Sequence, residues 1–220
     1  SKEFKVDVLN ASRTYIGKKT LDKYYSEHTG LNPEDFSKLR TYRSKIYMAE
    51  CISELVKFKT PEMNKMLDYF KSYSVGSVDE GIDYLVLFKG KGYQMGFGGL
   101  HSVDRPAIYH STNDVDIMDA DVDSYYPFVM LKHKIKPKHV HEEFYNILET
   151  ITTKRLLAKK SGDKITTETL KITINSIFGL YNFPNYWLYD PKAALSVTIN
   201  GQMFLLMMIE ELELNGFEVI

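Results

Sequence analysis

Two short segments carry the side chains that could do chemistry. Asp121-Val122-Asp123-Ser124-Tyr125-Tyr126-Pro127 sets a carboxylate three residues ahead of a serine and two tyrosines, and Lys171-Ile172-Thr173-Ile174-Asn175-Ser176-Ile177-Phe178-Gly179 begins fifty residues after Asp121. A carboxylate is a hard oxygen donor of the kind Mg²⁺ takes, usually one or two from protein with phosphate oxygens completing the shell. Asp121 is the candidate ligand and the Val122 carbonyl a second donor, while Asp119 and Asp123 read as solvated or structural. If a strand ends at Asp121 and a helix opens at Ser124, the unpaired amides of the first turn face an anion beside the aspartate.

On the downstream segment Lys171, Asn175 and Phe178 recur at i, i+4 and i+7 and share a helix face, with Gly179 leaving bare backbone beyond them. Arg155 and Lys159 are i and i+4 on a preceding helix, so two antiparallel helices could turn three cations toward one triphosphate. From 154 to 171 six basic side chains face two acidic ones. Alone, that hairpin reads as a solvated face; beside the aspartate segment it reads as a nucleotide seat.

The elements that must position these groups follow from periodicity. The stretch from Thr20 to about Ser74 reads as helical, with Thr60-Pro61 opening a helix over Met63 to Phe70. Tyr84 to Phe88 and Tyr93 to Phe97 read as a hairpin across Lys89-Gly90-Lys91-Gly92. Gly98 and Gly99 then permit positive φ or close backbone approach. Val115 to Asp123 alternates as a strand whose end turns acidic. Helices are expected from Ser124 to about Lys132, Glu142 to Lys160, Thr166 to Leu180 and Pro191 to Asn215, and a last strand from Phe217. Two basic runs, Lys38 to Lys45 and Lys132 to His141, read as a solvated helix face and a solvated loop, although the first could also track a phosphodiester backbone.

A chain of 220 residues, 44% hydrophobic, with a formal net charge of −1, can bury a core but does not announce a polyanion partner as a whole. Cys51 is the single cysteine, which excludes an internal disulfide and a cysteine-rich zinc site. No signal-peptide core stands in Ser1 to Lys5, and the apolar stretch Leu195 to Leu212 is broken by Ser196, Thr198, Asn200, Gly201 and Gln202, so no membrane partner is expected. Met203, Met207 and Met208 read as core filler.

Asp121-x-x-Ser124-x-Tyr126-Pro127 resembles motif A of the family B DNA polymerases, and Lys171-x-x-x-Asn175-Ser176-x-Phe178-Gly179 resembles their motif B. Gly98-Gly99 is similar to their Tyr-x-Gly-Gly turn, with Gly96 where the tyrosine belongs. The resemblance implies that Asp121 and Val122 bind Mg²⁺, two ions serving the complete enzyme, and that the Ser124 and Tyr125 amides hold the β- and γ-phosphates. It implies that Tyr126 is the steric gate against ribonucleotides, and that Lys171, Arg155, Lys159 and Asn175 meet the triphosphate. Phe178 stands for the usual tyrosine under the nascent pair, beside Gly179, and Gly98 and Gly99 would touch DNA.

The implied partners are primer-template DNA and deoxyribonucleoside triphosphates, and the implied setting is the cytoplasm of a bacterium hosting a phage or mobile element. The implied fold is α+β: a helical N-terminal region (1–80), a palm begun over 81–140 and resumed over 183–220 as an incomplete antiparallel sheet, and a two-helix fingers hairpin (141–182). The family's motif C and its exonuclease Asp-x-Glu are absent. The chain is therefore expected to be a fragment that does not extend a primer alone, and the fifty-residue spacing disfavours protein priming. A noncatalytic nucleotide- or nucleic-acid-binding module built on the same cradle is the alternative.

Overall fold

The fold mixes helices with two small antiparallel sheets, an α+β arrangement. The computed structural model describes residues 12–76 and 81–220. Its elements run α1 (Arg13–Thr29), α2 (Pro33–Phe36), β1 (Ile46–Tyr47), α3 (Pro61–Ser72), β2 (Ser74–Val75), β3 (Asp83–Phe88), β4 (Lys91–Gly96), β5 (Leu100–Ser102), α4 (Tyr125–Lys132), α5 (Glu143–Ser161), α6 (Lys164–Tyr181) and α7 (Pro191–Leu214). The reading of Ser1 to Lys5, and part of the turn-rich stretch before Gly81, lie outside the described residues.

Local chemistry explains most boundaries. Ser12 caps α1 by accepting the Tyr15 amide at 3.2 Å, and Gly30, at φ 72°, closes the helix in the left-handed conformation that glycine takes without steric cost. Gly162 (φ 77°) ends α5, and one residue later Asp163 caps α6 by accepting the Thr166 amide at 3.1 Å. So short a connection forces α5 and α6 antiparallel, as the expected helical hairpin requires. The expected β-hairpin also forms, with β3 and β4 joined through Lys89 and Gly90, both at positive φ. β5 pairs with β4, and β1 pairs separately with β2.

Three expectations are corrected. The stretch from Thr20 to Ser74 is not one helical region: between Phe36 and Ile46 the chain is irregular, because its groups are taken by distant partners. The Thr41 amide donates to the Tyr189 carbonyl at 2.8 Å, and Arg43 is held by Asp190. Val115 to Asp123 forms no strand. The Ser111 and Thr112 hydroxyls accept the amides of Asp114, Val115 and Ile117, a local alternative to a ladder, and the alternation offers no wholly apolar face to bury. Phe217 to Ile220 is likewise not a strand. Glu213 accepts the Val219 amide and the Lys91 ammonium donates to the Val219 carbonyl, so side chains stand where a partner strand would.

Helix α7 organises the packing. Ala193, Ala194 and Val197 join a core with α1, α4, α5 and α6, while Leu195, Ile199, Met203 and Leu206 join a second core with α3, β3 and β4. Buried on nearly every side, the 24-residue helix is long and apolar enough by composition to cross a membrane, despite the polar residues expected to break its apolar stretch. Its interruptions are instead satisfied inside the protein. Asn200 donates to the Cys51 carbonyl and accepts the Ser53 amide, both at 2.7 Å, and Gln202 bonds both backbone groups of Gly96. That pattern belongs to a core helix, since polar groups buried without partners are costly.

Candidate functional site

Ser124 is the pivot of the site. It holds φ 56° and ψ 43°, a left-handed conformation that costs a non-glycine residue roughly 1 kcal/mol, and it turns the chain from the exposed segment into α4. Its hydroxyl makes no cap bond to the helix. Instead it accepts from the Arg155 guanidinium of α5 at 2.5 Å, leaving the first-turn amides uncapped by that side chain. The Arg155 Nε is buried without a hydrogen-bond partner among the described residues. One turn along α5, the Lys159 ammonium lies 2.9 Å from the Asp123 carboxylate. That pair is exposed, and Lys159 holds the Asp123 carboxyl below the ordinary aspartate range.

The hairpin's second helix meets the same turn. Tyr126 packs against Phe178 with ring centroids 4.6 Å apart at 34°. Tyr125 lies beside it and donates its hydroxyl to the Gly201 carbonyl of α7 at 2.5 Å, and burial pushes that phenol up to about 12. Lys171, Asn175 and Gly179 are exposed on α6 and Phe178 is half-buried, so the predicted face is open. Arg155 and Lys171 are each eight residues from Asp163, the corner of the hairpin, which sets them level along two antiparallel helices.

Asp121 lies in the irregular, exposed run that precedes this turn, at most about 10 Å of chain from Ser124. Val122 and Asp119 are exposed in the same run. No group of three or more His, Cys, Asp or Glu side chains forms a metal-ligand set among the described residues. Asp121 and the Val122 carbonyl are hard donors that suit Mg²⁺ as part of a shell completed by phosphate oxygens, whereas the Asp123 carboxylate is already engaged by Lys159.

Gly98 and Gly99 connect β4 to β5. Neither takes positive φ, and a β-carbon at Gly98 would meet open space, so the expected conformational need for glycine is not present here. What Gly98 does is line a cavity of about 450 Å³ with Phe178, Gly179 and Phe183 of the hairpin side and Leu195 and Thr198 of α7. A β-carbon on Gly179 would also meet nothing within 4 Å, so bare helix backbone faces this space.

Gly201 was missed as a site residue and read only as a break in an apolar helix. A β-carbon there would lie 3.3 Å from the Tyr125 ring and 3.5 Å from the Tyr126 ring. The signal was legible, because glycine inside a helix costs about 1 kcal/mol relative to alanine and implies a packing reason. Phe97, which lines the cavity, gave no such signal.

The arrangement thus offers an arginine-anchored turn, two aromatic rings packed at a tilt beside it, and a level pair of cations on the hairpin. Compared with protein families, curated proteins and solved structures, the chain finds no matching family model, curated protein or structure.

Proposed function

We propose that the chain supplies the palm and fingers of a template-directed DNA polymerase, which transfers a deoxyribonucleotide to a primer 3′-hydroxyl. The observation that carries this reading is the meeting of the two motif segments, Tyr126 on Phe178 at 4.6 Å. A triphosphate placed along the Ser124 and Tyr125 amides would meet Arg155, which already reaches the Ser124 hydroxyl, and would draw on Lys171 of the facing helix to offset its charge, a role that gains strength as charge develops in the transition state. The Tyr126 ring forms the floor under the sugar, where a 2′-hydroxyl would collide, and Phe178 lies next to it for the base. Asp121 and the Val122 carbonyl would hold Mg²⁺, whose contribution when bound is to neutralise phosphate charge and activate the attacking oxygen, with a second ion in the complete enzyme.

A second reading, a noncatalytic nucleotide-binding module, is favoured by one observation: Asp121 stands in an exposed, irregular run and not in a sheet. Fluorescence titration with a labelled deoxyribonucleoside triphosphate and its ribo counterpart tests both. Arg155→Ala and Lys171→Ala are each expected to weaken binding about tenfold, or about 1.4 kcal/mol. Tyr126→Ala should narrow the preference for the deoxy sugar by a similar factor. Binding indifferent to all three substitutions ends the proposal. Tightening by Mg²⁺ that disappears in Asp121→Ala supports the enzyme, whereas Mg²⁺-indifferent binding supports the module.

A further inference from the structure

Two basic runs that the nucleotide site leaves unused come together elsewhere. Arg43, from the run Lys38 to Lys45, and Lys134, Lys136 and Lys138, from the run Lys132 to His141, line one cavity of about 500 Å³, with Lys192 at the start of α7. The only carboxylates in its lining are Glu50 and Asp190, so five cations face two anions.

The anions are already matched. Asp190 takes the Arg43 guanidinium through both oxygens, at 2.7 and 2.9 Å, and Glu50 lies 2.5 Å from the Lys192 ammonium. Lys136 is paired outside the lining, 3.0 Å from Glu142. Lys134 and Lys138 have no carboxylate partner among the described residues; the Lys134 ammonium rests only over the Tyr145 ring, 4.8 Å from its centroid. His133, at the cavity wall, bonds the Ser53 hydroxyl, and burial followed by the Lys132 charge lowers its proton affinity.

We infer that this cavity is a second anion site, which seats backbone phosphates of a nucleic-acid strand. Converging backbone amides hold a compact phosphate closely, and three amides of this lining are already spent: Ser53 on Asn200, Lys138 and Lys192 on Asp190. What remains is exposed ammonium charge on long stems around an open mouth, which suits a run of phosphates whose counterions it releases. The choice of a polynucleotide rests on the polymerase reading above; the cavity and its uncompensated charge do not.

The test is fluorescence anisotropy of a labelled single-stranded oligodeoxynucleotide against salt, using the double variant Lys134→Glu/Lys138→Glu. Lys134 already carries φ 51°, so the exchange adds no new backbone cost. Affinity at low salt is expected to fall tenfold or more. The slope of log K against log salt should shrink by about 1.4, since each phosphate contact on a single strand contributes about 0.7. Affinity for a deoxyribonucleoside triphosphate should stay unchanged, which separates this site from the one at Ser124.

Unchanged oligonucleotide affinity and slope in a variant of native circular dichroism overturn the inference. So does loss of inorganic pyrophosphate binding with oligonucleotide binding retained, which would make the cavity a small-anion site. Should the glutamate variant fail to fold, Lys134→Gln/Lys138→Gln must show the same direction in slope, and its failure to do so counts against the site equally.

Discussion

On either side of Ser124 the chain behaves in opposite ways. Residues 103–123 are exposed throughout and belong to no helix or strand, whereas from Tyr125 onward α4 is tied to three other helices. Arg155 of α5 holds Ser124, Phe178 of α6 takes Tyr126, and Gly201 of α7 accepts the Tyr125 hydroxyl. Side chains on packed helices are positioned by many neighbours at once, while a carboxylate expected at a strand tip is positioned only if that strand is paired. The aromatic and cationic half of the candidate site is therefore built, and the acidic half hangs from it by a few residues of chain.

The contrast can be tested by perturbing each side. The largest effect is expected in the packed part. Arg43→Ala would leave Asp190, whose side chain is 2% exposed, with a buried charge supported only by amides, and should cost about 3 kcal/mol in urea unfolding. A loss below about 1 kcal/mol would mean that the irregular segment carrying Arg43 is not part of the packed body.

A smaller, pH-dependent effect is expected at His139, which ties that segment to the loop before α7. Its ring bonds the Thr41 hydroxyl at 2.7 Å and the Trp187 carbonyl at 2.6 Å, and burial lowers its affinity for a proton below the ordinary value of 6.5. The unfolded chain takes up that proton first, so stability is full above about pH 6.5 and falls as pH drops toward the lowered folded value. Thermal unfolding followed from about pH 7 to about pH 5 should show this decline, and His139→Asn should flatten it. A variant with the same slope as the parent would remove His139 from the account.

The smallest effect belongs to the exposed run. Val115→Ser with Ile117→Ser should change unfolding free energy by no more than about 0.5 kcal/mol, because neither side chain is buried. A loss of 2 kcal/mol or more would show that these residues are packed in solution and would erase the contrast at Ser124.

Much of the site was readable from residue types and spacing because it is made of local relations. Arg155 with Lys159, and Lys171 with Asn175 and Phe178, share faces through helical geometry alone, and the Gly162-Asp163 corner dictates that the two helices run back alongside each other. The strand ending at Asp121 was a different kind of expectation, since alternation describes what a segment could do if a neighbour supplied the ladder. Ser111 and Thr112 supplied bonds from within the segment instead. The two basic runs were likewise legible as charge, but not as neighbours.

The amino-acid sequence by itself determined the four helices from α4 to α7, the β-hairpin and the cationic faces, because each depends on residues a few positions apart. Only the tertiary structure decided that Tyr126 meets Phe178, that Gly201 makes room for two tyrosine rings, and that Arg43 shares a cavity with Lys134 and Lys138. Those contacts join residues dozens of positions apart, and their closure is driven by burying α7 between two cores, a sum over the whole chain that no local pattern contains.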